Sequence, residues 1–369
     1  MSDIPILDDP DAINPNWLTK VLAAQPDIDP CQVIDMTRED LNQGAGFVSQ
    51  LVRVRMHYDE RAEGAPLSVI IKMAPKNAET REFGKLLGLF QREVAFYKHF
   101  AEGNPCNPPR AYLAEISDSA DTFTMVIEDL GPHDQEYILD GCTAVEAHAV
   151  MTVLGRQHAQ YWKGKNLEGH DWIPNLAMMA PALTALASGA VPKFLDQYGD
   201  RMPQELRQAL DLALPAFGEM LDYAVKDPNQ TLCHMDSHLG NIQFQDGQPR
   251  FIDWQGFAMQ TYSYDVSYFL NGNLTNELRR QNLDALLDSY HEALTKGGVD
   301  DIGRDDVTDA YHRQSAGQLV TVPLIMGAFV GNDERGRMMA NAMLPRFFAA
   351  MEDSDAPKQL AELLAEARA

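Results

Sequence analysis

The groups able to do chemistry concentrate in Leu232-Cys233-His234-Met235-Asp236-Ser237-His238-Leu239-Gly240-Asn241, followed ten residues on by Phe251-Ile252-Asp253-Trp254. Residues 242–244 and 250–252 are short strand-like runs, and Asp246-Gly247 between them is a strong hairpin signal. Asn241 and Asp253 are equidistant from Gly247. The spacing therefore predicts that they face each other across the hairpin within one residue of register, at about 5 Å between Cα atoms. An amide carbonyl and a carboxylate are hard oxygen ligands. Such a pair suits Mg²⁺, which takes one or two protein ligands and fills its shell with phosphate oxygens and water.

Asp236 stands five residues before Asn241, in the loop that enters the hairpin. A carboxylate there can accept a hydrogen bond from a substrate hydroxyl and orient its oxygen for attack on a γ-phosphoryl group. The order D-x-x-x-x-N, hairpin, Asp is that of a kinase catalytic loop. Two other accounts of the segment exist. It can be a polar turn with incidental acids. Alternatively, His234, Asp236 and His238 can be the H-x-D-x-H ligands of a metallohydrolase, but that chemistry leaves an upstream lysine and glutamate without a role.

That lysine is Lys72, at the end of the apolar run Val69-Ile70-Ile71. An ammonium closing a buried strand is costly unless paired. Glu93, on the helical stripe that follows, is the expected partner, with Glu79 and Glu82 as competitors; the pair would place Lys72 against the α- and β-phosphates. Gly44-Ala45-Gly46-Phe47-Val48-Ser49 precedes an alternating strand. Gly44, Gly46 and Ser49 are the candidates for a loop whose backbone amides approach phosphate, and an ordinary hairpin turn is the plainer alternative. Glu128 to Leu130 would offer backbone groups to adenine.

The elements that must position these residues follow from periodicity. Residues 50–56 alternate, with Val52, Val54 and Met56 on one face. Residues 67–72 form a short β-branched run. Residues 79–100 carry helical spacing through Phe83, Leu86, Leu87, Phe90, Val94 and Tyr97. Strands are expected at 112–116 and 122–127. At Gly131-Pro132 regular structure breaks, and beyond it Thr143 with Glu146 opens a helix running to about Trp162. The expectation is an α+β, two-lobed kinase-like fold: residues 1–130 form a small sheet lobe that binds nucleotide, and residues 131–369 a helical lobe with the catalytic loop and substrate site.

The 369 residues carry 30 basic and 54 acidic side chains, a net charge of −24. Such a chain repels nucleic acid and anionic membrane, so neither is expected as a partner. No run of about 20 apolar residues stands out as a membrane helix, and Met1-Ser2-Asp3-Ile4-Pro5 lacks the basic and apolar regions of a secretory signal. Cys31, Cys106, Cys142 and Cys233 are scattered without a C-x-x-C pair, which argues against a zinc ribbon or disulfide framework and fits a reducing compartment. A cytoplasmic protein is expected.

His234-Met235-Asp236-Ser237-His238-Leu239-Gly240-Asn241 resembles the H-G-D-x-H-x-x-N signature of the aminoglycoside phosphotransferase and choline kinase superfamily, with the nearest likeness to its ecdysteroid-kinase-like branch. Ile252-Asp253-Trp254-Gln255 is similar to its metal motif, Met125-Val126-Ile127-Glu128-Asp129-Leu130 to its hinge, Leu154-Gly155-Arg156-Gln157-His158-Ala159-Gln160-Tyr161-Trp162 to its L-x-x-x-H-A-x-x-W helix, and Tyr264-Asp265-Val266-Ser267-Tyr268-Phe269-Leu270 to its D-[LV]-x-Y-F-L segment. The resemblance implies ATP and magnesium as cofactors, Asp236 as catalytic base, Asn241 and Asp253 as metal ligands, Lys72 on phosphate with Glu93 in support, and His234 and Asp265 bracing the loop. Read from its surroundings alone, Asp265 precedes an apolar helical run and is expected to be an N-cap. Met235 replaces the family's glycine.

Eleven residues separate Asp253 from Asp265, there is no A-P-E, and H-M-D lacks the arginine of H-R-D. A protein substrate is therefore not expected. The acceptor is expected to be a small-molecule hydroxyl: acidity leans toward a cation, the resemblance toward an apolar alcohol. Trp254 and Tyr262 are candidates for its wall. A catalytically silent nucleotide-binding protein of the same fold is the alternative from another class.

Overall fold

The computed structural model describes residues 4–41, 49–132, 137–330 and 334–369. The chain divides into two compact units, Met1–His133 with Ile252–Gly256, and Asp134–Phe251 with Phe257–Ala369.

The first unit opens with helix α1 (Pro15–Ala23). Asn14 caps it by accepting from the Trp17 N–H, and Pro15 supplies a preset first turn. Strands β1 (Val33–Asp40), β2 (Gln50–Tyr58), β3 (Ser68–Met73), β4 (Ala111–Ile116) and β5 (Phe123–Glu128) make one antiparallel sheet in the order β1-β2-β3-β5-β4. Period-two alternation sends Val52, Val54 and Met56 of β2, with Val69, Ile71 and Met73 of β3, into a core shared with Trp17, Leu18, Val21 and Leu22 of α1. The side chain of Lys72 is thereby turned to the opposite face.

Between β3 and β4 the apolar stripe of residues 79–100 is not one helix. It is α2 (Ala78–Leu86) and α3 (Leu89–His99), broken at Gly88, whose φ of 67° is left-handed. Glycine enters that region without a Cβ penalty. The break leaves Leu86 82% exposed while Phe90, Val94 and Tyr97 stay buried on α3.

The second unit contains α4 (Tyr137–Asp140), α5 (Ala144–Gln160), α6 (Leu176–Tyr198), α7 (Gln204–Ala213), α8 (Phe217–Val225), strands β6 (Gln230–Cys233), β7 (Ile242–Gln245), β8 (Gln248–Phe251) and β9 (Ala258–Thr261), and helices α9 (Ser263–Asn273), α10 (Asn276–Lys296), α11 (Arg304–Ala328), α12 (Glu334–Asp353) and α13 (Ala356–Ala367). Thr143 and Glu146 form a reciprocal capping box at the start of α5. β7 and β8 form a hairpin in register Ile242↔Phe251, turning through Asp246 and Gly247, both at positive φ. Two positive φ values match a turn to the natural strand twist. Asn241 directly precedes the first ladder pair, and Asp253 follows it by two residues.

Residues Leu176–Arg201 are long and apolar enough to cross a membrane by length and composition, a run the sequence pattern did not single out. Here α6 packs on α11 and α8, burying Ala187, Val191 and Phe194.

α5 lies against α10, and Gly155 sits at the contact: a Cβ there would lie 2.5 Å from the Tyr290 carbonyl oxygen and 2.8 Å from the Ala293 Cβ. Gly189 of α6 faces open space. Gly155→Ala is expected to destabilise by about 1–3 kcal/mol through overpacking. Gly189→Ala is expected to stabilise by about 0.5–1 kcal/mol through helix propensity. Thermal unfolding of the two variants checks the contrast, and a Gly155→Ala protein as stable as wild type would contradict the close approach.

Candidate active site

Within the first unit the central group is Lys72. Its Nζ lies 2.6 Å from Glu93 Oε2 and 2.8 Å from Asp253 Oδ1, and Lys72 and Glu93 are both buried. The competitors Glu79 and Glu82 are not its partners. Burial alone would lower the lysine pKa, but the Asp253 and Glu93 carboxylates outweigh it and hold the ammonium above its ordinary value. Glu93 is pushed up to about 7, first by burial and then by the charge of Asp253, against the pull of Lys72. One ammonium is shared by two carboxylates, and the more deeply buried of the two holds a proton the more readily.

Two contacts fix the turn that carries Asp253. Trp254 stacks on Phe96 of α3 at 3.9 Å between ring centroids and 7° between planes. Arg92 donates to the Gly88, Leu87 and Gly256 carbonyls, and burial pulls its pKa down to about 10. Asp253 itself adopts φ 63°, a left-handed conformation that Asp tolerates better than most residues. Asp253 Oδ2 accepts from Gln255 at 3.5 Å.

The chain just beyond β5 is pinned by Asp129. Asp129 accepts from Arg53 Nε at 2.8 Å, Ser68 Oγ at 2.7 Å and the Gly131 N–H at 3.0 Å. Burial would raise its pKa, but these donors hold it below the ordinary value. The Glu128 N–H donates to the Arg110 carbonyl at 2.8 Å, and the Glu128 side chain accepts from the Arg110 N–H at 3.1 Å. Leu130 is half-buried and Ser49 buried. Gly44 and Gly46 lie outside the described residues.

Within the second unit the catalytic segment is laid along α9. Asp265 accepts from the His234 N–H at 2.6 Å and the Met235 N–H at 2.9 Å. Its carboxylate therefore holds the loop and does not cap the helix, since the cap position is Tyr262. Met235 has φ 74°, a strained conformation for a side chain with a Cβ, and the two pinned amides maintain it. At the far end of α9, Asn273 donates to the Ser237 carbonyl at 3.2 Å and accepts from the Leu239 N–H at 2.7 Å. His234 Nδ1 accepts from the Asp236 N–H at 3.2 Å, which assigns the proton of a neutral ring to Nε2.

Asp236 keeps a side chain 38% exposed. Its Oδ2 accepts from Asn241 Nδ2 at 3.0 Å and lies 3.6 Å from His238 Nε2, and its Oδ1 accepts from the Tyr268 hydroxyl at 3.3 Å. Asn241 Nδ2 also donates to the Asp236 backbone carbonyl at 3.0 Å. With both donors of the amide turned into the loop, its Oδ1 is the end left for a ligand. A carbonyl oxygen on Asn241 and a carboxylate on Asp253 fit the hard-oxygen preference of Mg²⁺.

His158, Cys233 and Asp265 bring ligand atoms within 4.8 Å of one another, all fully buried. They form a packing network. Burial pushes the Cys233 thiol well up, so it remains protonated and contacts the Gln260 and Thr261 carbonyls. Asp265 is committed to backbone amides, and His158 bonds Tyr290 through Nδ1 at 2.8 Å. Among the described residues no such cluster includes His234 or His238.

Two expected substrate-wall residues are misplaced for that role. Trp254 is 0% exposed beneath Phe96, and Tyr262 is buried between Trp162 and Tyr290. Their apolar surface is consumed by packing. Conversely, the sequence assigns no role to Tyr268, which it shows only inside the D-[LV]-x-Y-F-L likeness, and does not single out Asn273, although their spacing from Asp265 on a helix places all three on one side.

The sequence model of the ecdysteroid kinase-like family matches residues 43–301. No curated protein matches the sequence. The structure is similar to amicoumacin kinase hAmiN, solved in complex with AMP-PNP, Ca²⁺ and Ami, with a TM-score of 0.50 and 14% identity over 86% of this chain and 88% of that chain. It is also similar to choline kinase from Cryptosporidium parvum Iowa II, with a TM-score of 0.50 and 12% identity over 90% of each chain. At these identities the likeness establishes the fold, that of the kinase-like phosphotransferases.

Lys72→Met would leave Glu93 and Asp253 facing each other without a cation. The expected cost is about 3–5 kcal/mol, and adding Glu93→Gln should restore part of it. Urea midpoints at unchanged m-value measure both; a Lys72→Met protein with the wild-type midpoint would show that the ammonium does not hold the cluster. In the native protein at pH 8, a thiol reagent should reach Cys31 alone, because Cys106, Cys142 and Cys233 are buried. Rapid modification of Cys233 would contradict its protonated, enclosed state.

Proposed function

The chain belongs to the ecdysteroid kinase-like family, and on that premise we propose that it transfers the γ-phosphoryl group of ATP, with magnesium, to a hydroxyl group of a small molecule. The observation that carries the proposal is the state of Asp236: a partly exposed carboxylate with both oxygens oriented, in a loop pinned from both ends of one buried helix. Such a group is built to receive a proton from something outside the protein.

In the proposed reaction the acceptor hydroxyl hydrogen-bonds to Asp236. Its oxygen attacks the γ-phosphorus as the bond from that phosphorus to the β–γ bridging oxygen breaks, and the hydroxyl proton passes to Asp236. The products are the phosphorylated alcohol and ADP. Lys72, held by Glu93, supplies positive charge to the α- and β-phosphates. Asn241 through Oδ1 and Asp253 through its carboxylate are the proposed magnesium ligands. Bound magnesium neutralises charge on the β- and γ-phosphate oxygens.

A small acceptor is favoured by the eleven residues between Asp253 and Asp265, which leave no room for a long activation segment. The names of the two structural relatives, amicoumacin kinase and choline kinase, point the same way.

The test is ADP release from ATP and magnesium in the presence of a panel of small alcohols, wild type against Asp236→Ala. The expected loss in the variant is about 10²–10⁴-fold. Equal rates would remove Asp236 from the reaction. If ATP with magnesium stabilises the wild-type protein but no alcohol is phosphorylated, the protein is a silent nucleotide binder.

A further inference from the structure

We propose that Tyr268 is a positioning residue for Asp236, setting which carboxylate oxygen is presented to the acceptor hydroxyl; the inference rests on the kinase reading above.

A carboxylate turns easily about its Cβ–Cγ bond, because that terminal torsion has broad, shallow wells. Asp236 sits in a loop with its side chain 38% exposed, so packing does not fix the turn. Hydrogen bonds must do so. Asn241 binds Oδ2 and also the backbone carbonyl of Asp236, both at 3.0 Å. That alone leaves Oδ1 free to swing. The Tyr268 hydroxyl, 3.3 Å from Oδ1, is the second hold.

Tyr268 is suited to the task because it cannot follow the carboxylate. It is buried, its ring lies parallel to that of Tyr264 at 6.0 Å and 6°, and Phe347 packs on it at 5.5 Å. It stands one turn along α9 from Asp265, which grips the loop immediately before Asp236. One rigid helix therefore fixes both the loop backbone and the carboxylate it carries. Burial, and then the charge of Asp236, push the phenol pKa well above its ordinary value, so the hydroxyl remains a donor throughout the working pH range. A phenol that merely needed a buried partner could have been satisfied by a backbone carbonyl. Here its proton goes to the proposed base.

Tyr268→Phe removes the hydroxyl and keeps the ring. In an active enzyme we expect kcat to fall about 10-fold while KM for ATP and for the acceptor stay within about 2-fold, the pattern of an interaction that matters in the transition state. In an Asp236→Ala background the same change should have no further effect on residual turnover. Equal kcat for Tyr268→Phe and wild type overturns the inference, as does a rise in KM alone.

A second measurement does not depend on activity. A double-mutant cycle of Tyr268→Phe and Asp236→Ala in urea unfolding should show coupling of roughly 2–100-fold in the unfolding constant. Additive effects overturn the inference whether or not the enzyme turns over. A wild-type protein that phosphorylates nothing, yet shows the coupling, overturns the proposed function and upholds Tyr268's hold on Asp236.

Discussion

The helical unit depends on one buried carboxylate. Asp265 has no exposure, and a carboxyl group in that position is tolerable only when its lone pairs are filled. They are filled by the amides of His234 and Met235, with His158 Nε2 3.5 Å away. This forces the geometry of the catalytic loop. Two successive N–H groups converging on one carboxylate bend the chain at Met235 into a left-handed conformation that a methionine would not choose. The strain is held because the same helix grips the loop again through Asn273. A glycine at 235 would reach the conformation freely but would also leave the unbound loop free to sample others, so a side chain here gives up local comfort for a narrower ensemble.

The first unit solves a comparable problem with opposite charge. Lys72 can be buried only because Glu93 and Asp253 flank it, and two acids against one base leave the cluster one negative charge in excess. The strain of that excess falls on Glu93, whose proton affinity rises to about 7. A cation ligated by Asp253 would relieve it. Asp253 is the member of the cluster at its open edge, 30% exposed. The Trp254–Phe96 stack brings no charge to the cluster and holds the turn without altering that balance.

Much of this is legible in the residues themselves. A lysine ending a run of β-branched residues demands a partner, and the helical stripe after it offers Glu93 on its buried side. The Asp-Gly step fixes a hairpin, and its register follows by counting. The failures have physical causes. The stripe through residues 79–100 has helical period on both sides of Gly88, and periodicity is blind to a single left-handed glycine. Aromatic rings near a metal motif suggest a substrate wall at Trp254 and Tyr262, yet composition cannot tell a ring facing a ligand from one facing Phe96 or Tyr290. Asp265 has the local setting of a cap, because an acid ahead of an apolar helix usually is one. Its actual partners lie some thirty residues back in the chain, beyond any local pattern.

The roles of Tyr268, present in the sequence only as the tyrosine of the D-[LV]-x-Y-F-L likeness, and of Asn273 are hidden for a different reason. Reactive residues betray themselves by type, since few side chains can serve as a base or a metal ligand. Positioning residues act through generic donors and acceptors, and many types would serve if the geometry allowed. What specifies them is distance, and here the helix supplies it. At 1.5 Å and 100° per residue, Asp265 and Asn273 stand about 12 Å apart along the axis, and Tyr268 falls between them, all three within an arc of about 140°. A loop of the same length could not hold three such separations at once. The segment from His234 to Asn241 closes on itself through the His238 N–H to the Asp236 carbonyl and the Asn241 N–H to the His238 carbonyl, and α9 holds that closed loop through Asp265 and Asn273. That is why α9 is buried along almost its whole length: a ruler is useful only if it does not bend, and its rigidity comes from packing on every side.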